Sequence, residues 1–273
     1  MGKNYQKKLF NYYNQNEEYF ELAEKGQSGK NNIIFYQKIL NRCKNKKGFL
    51  IDLGCGTGLD IFAMTGKNNF CLGLDISKLA INRAVKRADK KKIKNVDFKQ
   101  SNLDKIFLKD NSVNTITSFW SFEHLLNPEK VLSEADRILK KDGEIFILCP
   151  NFSSPFRGAP VYGWYSKDKI LKKMILSLSR IFSVLILRKK DFKVKMIDES
   201  LIDFNKIGED WDAANEPSIF EFINYFRRKN YQVDFKTWLS PPKTMSERFF
   251  SYFKNFLIIK YWGPVCYFYA KKR

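Results

Sequence analysis

Ile51-Asp-Leu-Gly-Cys-Gly-Thr-Gly58 carries a short apolar strand into three closely spaced glycines, and Asp75 follows in Cys71-Leu-Gly-Leu-Asp-Ile-Ser77. A strand that runs straight into glycines turns sharply and lets the backbone approach a ligand, because Gly54, Gly56 and Gly58 carry no Cβ. An acidic residue at the end of the next strand suits a ribose, whose two hydroxyls can both donate to one carboxylate. The pair predicts a site for an adenosine-containing cofactor. Position 59 is Leu, so the dinucleotide spacing Gly-x-Gly-x-x-Gly is not met. No Gly-Lys-Ser/Thr follows, which excludes a P-loop.

Outward from this turn, short apolar runs predict strands near 49–53, 70–75, 95–99, 113–118 and 144–149. Between them lie a helix opened by Ser77 and a second opened by Pro128, ending before the Asp142-Gly143 turn. Strands alternating with helices at this spacing make a parallel, doubly wound sheet. Ligands bind at the carboxyl ends of such strands, where Gly54, Asp75, Asn102 and Ser118 fall. Residues 1–44 read as helices with clustered aromatics, Tyr12, Tyr13, Tyr19 and Phe20 among them. After Pro150 the pattern changes. Residues 151–165 are rich in Pro, Ser, Gly and aromatics, which is loop chemistry, and 168–188 read as one amphipathic helix. A helix at 217–229 and strands at 231–238 and 265–270 complete the chain.

The chain has 273 residues, of which 44% are hydrophobic and 16% aromatic, enough for a generous α/β core. Cys43, Cys55, Cys71, Cys149 and Cys266 are scattered with no Cys-x-x-Cys, which argues against a disulfide framework and for a reducing compartment. The chain holds one histidine, so a metal site is hard to build and none is expected. No apolar run follows the first residues, so a cytoplasmic location is expected. The net charge of +20 suits nucleic acid or anionic lipid, and equally suits a composition biased towards Lys and Asn throughout.

Several segments together resemble the ordered motifs of class I S-adenosylmethionine (SAM) dependent methyltransferases across roughly residues 45–150. They are Phe49-Leu-Ile-Asp-Leu-Gly-Cys-Gly-Thr-Gly58, Asp75-Ile-Ser77, Gln100-Ser-Asn-Leu103, Ser118-Phe-Trp-Ser-Phe-Glu-His-Leu125 and Ile138-Leu-Lys-Lys-Asp-Gly-Glu144. The resemblance implies an α/β, Rossmann-like seven-stranded sheet of order 3-2-1-4-5-7-6 with the last strand antiparallel. It implies a helical leader or lid at 1–44, a SAM-binding core at 45–150, an inserted cap for acceptor recognition at 151–215, and closing elements at 216–273. For the cofactor, Gly54, Cys55, Gly56 and Gly58 would face the methionine part, and Asp52 would reach its amino group through water. Asp75, followed by Ile76, would take the ribose. Asn102, where the family usually has Asp, would meet the adenine edge with Leu103 against the ring, and Ser118 would end the fourth strand beside them. Phe119 and Trp120 would line the methyl-transfer chamber. His124 and Glu123 are the candidates for proton removal from an acceptor.

Through Asn151-Phe-Ser-Ser-Pro-Phe-Arg-Gly158, Glu209-Asp-Trp-Asp-Ala-Ala-Asn-Glu-Pro217 and Tyr261-Trp-Gly-Pro264, the second half resembles, more loosely, methyltransferases associated with bacterial surface polysaccharide and glycolipid assembly. Trp164, Tyr165 and Trp211 suit stacking on a sugar, and Arg157, Asp210, Asp212 and Asn215 suit its hydroxyls. A sugar hydroxyl, free or lipid-linked, is therefore the expected acceptor. The helix at 168–188 would pack as a cap or lie on an anionic membrane surface through Lys172 and Lys173. Methylation of a small amine or phospholipid head, methylation of RNA, and a non-catalytic SAM-binding module remain the alternatives.

Overall fold

The computed structural model describes residues 3–30, 34–67, 69–157, 159, 170–182, 194–206, 210–239, 245–256 and 258–273. The expected Trp164 and Tyr165 lie outside them. Seven strands, β1 (Gly48–Leu53), β2 (Asn69–Asp75), β3 (Val96–Gln100), β4 (Val113–Phe119), β5 (Leu139–Pro150), β8 (Tyr231–Lys236) and β9 (Val265–Lys272), belong to one sheet. Its order is β3-β2-β1-β4-β5-β9-β8, with the last strand antiparallel, as the family resemblance implies. The chain divides into two compact units. The first comprises residues 1–121, 126–146 and 272, the second 122–125, 147–271 and 273.

In the first unit, β1 pairs in parallel with β2 on one side and β4 on the other. Leu50, Ile51 and Leu53 are all buried, as a strand covered on both faces requires. Helix α5 (Lys78–Lys90) begins where Ser77 Oγ accepts from the Ala80 N–H at 3.1 Å. It buries Ala80, Ile81, Ala84 and Ala88 along one face. The same Ser77 hydroxyl donates to the Tyr13 carbonyl at 2.6 Å, and Lys78 N–H donates to Asn14 Oδ1 at 2.8 Å. These bonds tie helix α1 (Lys3–Gln15) to α5, and Arg83 meets Glu17 of α2 (Glu17–Lys30) at 3.0 Å. Helix α3 (Ile34–Lys44) precedes β1 and α4 (Leu59–Met64) follows the glycine turn. Helix α6 (Pro128–Ile138) ends two residues before Lys140, and β5 starts at Leu139, ahead of the expected turn. Asp142, at φ 61°, makes that turn inside the strand.

The second unit is built on phenylalanine. Helix α8 (Ile219–Arg228) starts at Ser218, whose Oγ accepts from the Phe220 N–H, and turns Phe222 and Phe226 inward. Their rings meet Phe268 of β9 at 5.5 and 5.0 Å, and Phe222 meets Phe122 at 4.8 Å. Between β5 and α8 the chain forms helix α7 (Ile170–Ile181) and a two-stranded antiparallel ladder, β6 (Lys195–Met196) with β7 (Asn215–Glu216). The sequence offers no sign of that ladder, because two-residue strands have no periodicity to read. Helix α7 exposes Leu171, Ile175 and Leu178 and buries Lys173 and Ser177, so of the two lysines expected on its outer face only Lys172 is there. Among the described residues no helix is long and apolar enough to cross a membrane.

Candidate active site

The glycine turn in the first unit is held open by its own geometry. Gly54, Gly56 and Gly58 have φ of 76°, 51° and 81°, the left-handed region that costs other residues energy. A Cβ at Gly54 would strike Ser121 Cβ at 2.5 Å, whereas one at Gly56 would meet nothing within 4 Å. The turn is thus packed against the chain at Gly54 and open at Gly56. Gly56 N–H donates to Asp75 Oδ2 and Ser77 N–H to Asp75 Oδ1, each at 2.8 Å. Asp75 therefore bridges the turn and the start of α5, and it is only partly buried. Ile76 beside it is exposed, and its carbonyl accepts from Gln100 Nε2 at 2.9 Å.

The register of β1 places Asp52 opposite Thr117 of β4, whose hydroxyl donates to Asp52 Oδ1 at 2.6 Å. Burial pushes the Asp52 pKa up to about 7; the Thr117 bond opposes this, while Asp60 and Asp75 add to it. Ser118 meets Ser121 at 2.8 Å, and Ser121 donates to the Leu53 carbonyl at 2.8 Å, so these hydroxyls pin the end of β4 to the glycine turn. Cys55 is buried, and burial raises its thiol pKa. Asn102 is exposed, and its oxygen accepts from the Asp104 N–H at 2.9 Å, closing its own turn. Leu103 next to it is buried.

Two further residues join this region that sequence reasoning does not assign to it, Tyr36 and Asp60. The Tyr36 hydroxyl of α3 is buried beside the Asp60 carboxylate and the Trp120 indole without a well-aligned hydrogen bond. Burial, then Asp60, pushes its pKa up. Trp120 sits at φ 55°, a left-handed position for a bulky residue directly after β4. The Tyr36 ring meets Phe119 edge-on at 6.1 Å. The only signal in the sequence is Asp60, a charge on the first turn of a helix that is otherwise apolar.

In the second unit, Glu123 and His124 lie on a 3-10 turn, five residues beyond β4 at the most. His124 Nδ1 is 3.3 Å from Asp212 Oδ2 and 3.4 Å from the Asp212 carbonyl. Burial lowers the His124 pKa, but the carboxylates of Asp212, Glu123 and Asp210 outweigh it and the net displacement is upward. Glu123 is 1% exposed, its Oε1 lies 3.9 Å from His124 Nε2, and its Oε2 has no hydrogen-bond partner. Burial raises its pKa, with His124 opposing. The turn is fixed from the insertion: Ala214 N–H donates to the Glu123 carbonyl at 2.8 Å, and Asn215 Nδ2 donates to the Phe122 and Leu125 carbonyls at 2.9 and 2.8 Å. The Nδ2 of Asn215 is thus committed to backbone, while its Oδ1 is buried without a partner. Arg157 pairs with Asp210, and the Lys206 ammonium lies 4.3 Å from the Trp211 ring centre. Of the residues expected to meet a sugar, Asp212 is the one that contacts His124.

Residues 44–161 match the family model described as a methyltransferase domain. This region therefore carries a methyltransferase domain. The uncharacterized methyltransferase YcgJ of Bacillus subtilis is 28% identical over 132 residues, covering 48% of this chain and 47% of its own. The ubiquinone biosynthesis O-methyltransferase of Pelagibacter ubique is 28% identical over 201 residues, 70% of this chain and 80% of its own. The crystal structure of YcgJ shares the fold, with a TM-score of 0.53 at 15% identity, over 88% of this chain and 98% of that one. The chain spans about half the length of the first curated relatives it matches. SAM is the cofactor of the methyltransferase domain, and the residues present fit it. The turn is open where Gly56 lacks a Cβ, and Asp75 stands beside that opening.

Proposed function

We propose that the chain is a SAM-dependent O-methyltransferase whose acceptor is a hydroxyl on a sugar of a glycan or glycolipid precursor. The observation that carries the hydroxyl acceptor is His124 with its Nδ1 against Asp212. SAM supplies, when bound, a sulfonium methyl group open to in-line displacement. The protein's part is then to hold donor and acceptor in line and keep water out. Asp75 and the backbone of Gly54, Cys55, Gly56 and Gly58 would hold the cofactor, with Asp52, Ile76, Asn102, Leu103 and Ser118 around it.

A hydroxyl must also lose its proton as the new bond forms. Asp212 favours the tautomer with hydrogen on Nδ1, which leaves the Nε2 lone pair to take that proton. The same carboxylate then stabilises the imidazolium. Glu123, buried and biased towards its neutral form, is better suited to hold the turn than to act as the base. The P. ubique relative, by its name an O-methyltransferase, supports oxygen as the acceptor atom. That relative's name also makes a quinol hydroxyl the leading rival carrier. Five buried, unpaired cysteines fit work in a reducing compartment, and the charge of +20 fits an anionic carrier at a membrane face.

Purified protein given SAM with a labelled methyl group and fractionated cell extract tests the reading. Label should enter the glycan or glycolipid fraction, and His124→Ala should abolish the transfer while keeping affinity for the demethylated product, S-adenosylhomocysteine. Label in RNA or in quinol alone overturns the sugar acceptor. Failure to bind SAM or its product overturns methyl transfer itself.

A further inference from the structure

Residues 245–256 present an apolar stripe to solvent. Helix α9 (Met245–Tyr252) directs Phe250 inward, where its ring meets Phe156 at 5.4 Å and Trp262 at 5.6 Å, and it buries Glu247. Its other side and the turns that follow carry Met245, Phe249, Tyr252, Phe253 and Phe256, exposed by 86%, 59%, 80%, 38% and 64%. Met245, Phe249 and Tyr252 stand at i, i+4 and i+7 of the helix, the spacing that ordinarily faces a core, and Phe253 and Phe256 continue the patch in the turns. Here, among the described residues, nothing covers it. Phe253 lies 5.5 Å from Phe249 and 5.7 Å from Phe256, centre to centre, so the rings form a connected patch and not scattered surface residues. The charge beside the patch has one sign. Arg248 and Lys254 are exposed and Lys260 is partly so, while the one acid between 245 and 260 is the buried Glu247.

We propose that residues 245–256 dock the protein on an anionic lipid surface. Aromatic side chains settle at the boundary between headgroups and acyl chains, and flanking Lys and Arg reach the phosphates. A cation-rimmed apolar stripe on a chain of net charge +20 is complementary to anionic lipid and repels a second copy of itself. The inference deepens the reading of a lipid-borne acceptor and rests on it for its purpose, while its evidence is independent of methyl transfer. It also moves the membrane contact away from α7, where Lys173 is buried.

Co-sedimentation with vesicles of equal phosphatidylglycerol and phosphatidylcholine, against pure phosphatidylcholine, tests it. The wild-type chain should pellet with the anionic vesicles only. Arg248→Glu with Lys254→Glu should weaken binding by roughly 30-fold or more, taking about 1 kcal/mol for each cation removed. Phe249→Ser with Phe256→Ser should weaken it comparably, Lys172→Glu should change it little, and all variants should keep wild-type affinity for S-adenosylhomocysteine as proof of folding. Equal binding to both vesicles, no binding to either, or a loss confined to Lys172→Glu overturns the assignment. So does a wild-type dimer in sedimentation velocity that the double Phe variant dissociates, since a second copy would then be the occupant. A protein that docks but transfers no methyl group leaves this inference standing and removes the other.

Discussion

Asp212→Asn keeps the shape of the side chain beside His124 and removes its charge. Asp212 Oδ2 is 3.3 Å from His124 Nδ1, and the histidine is 16% exposed, so water screens the pair only in part. At 3.3 Å and an effective dielectric near 20, unit charges attract by about 5 kcal/mol before desolvation is counted. The net value of a hydrogen bond to a charged group is about 1.5–3 kcal/mol. The substitution should therefore leave the imidazole with roughly a ten- to hundredfold weaker hold on its proton. The chain has one histidine, so its Cε1–H resonance can be followed by NMR from pH 4 to 9 without assignment. The wild-type midpoint should lie above the ordinary histidine value, because its folded pKa is raised. The stability this pair contributes is then fully present below pH ~6.5 and is lost as pH rises through the folded pKa. The Tm deficit of the variant should accordingly be largest in acid and shrink at alkaline pH. A midpoint that does not move, or moves upward, would refute the Asp212–His124 pairing and with it the base assigned to the reaction.

Asp75→Ala should weaken binding of S-adenosylhomocysteine by about 1.5–3 kcal/mol, the scale of a charge-assisted hydrogen bond, measured by calorimetry; unchanged affinity would remove Asp75 from the cofactor site. Asp52 behaves in the opposite sense to an ion-paired carboxylate. Its folded pKa, about 7, is above its unfolded value of 3.8, so the ionised form costs stability as pH rises between the two. Asp52→Asn, which keeps an acceptor for Thr117, should therefore raise Tm at pH 8 by the equivalent of a few kcal/mol and change little at pH 4. A pH-independent difference in thermal melts would show that Asp52 is solvated in the folded state.

The parts of this protein legible in its sequence are those that local geometry dictates. Glycines that must adopt positive φ, a carboxylate at a strand end and a serine cap each depend on a few neighbouring residues, and Gly54, Gly56, Asp75 and Ser77 lie where that reasoning puts them. The succession of strands is legible for the same reason, through alternation with helices. Asp212 reads as a sugar contact in the sequence because its relation to His124 spans 88 residues and leaves no periodic trace. Asn215 likewise takes a role the sequence does not announce: its Nδ2 serves two carbonyls of the Glu123–His124 turn, about 90 residues away. Tyr36 and Asp60 become partners through the packing of α3 and α4, which composition does not report.

The ladder β6–β7 limits how such an enzyme can be re-engineered. Ala214 and Asn215 close it at one end and hold the Glu123–His124 turn through three hydrogen bonds. The segment after β5 is thus a loop whose far end is a fastener of the site, not a freely exchangeable module. A graft that brings in another enzyme's whole insertion would release the turn, whereas one that splices ahead of Asp212 would keep both the fastener and the carboxylate beside His124.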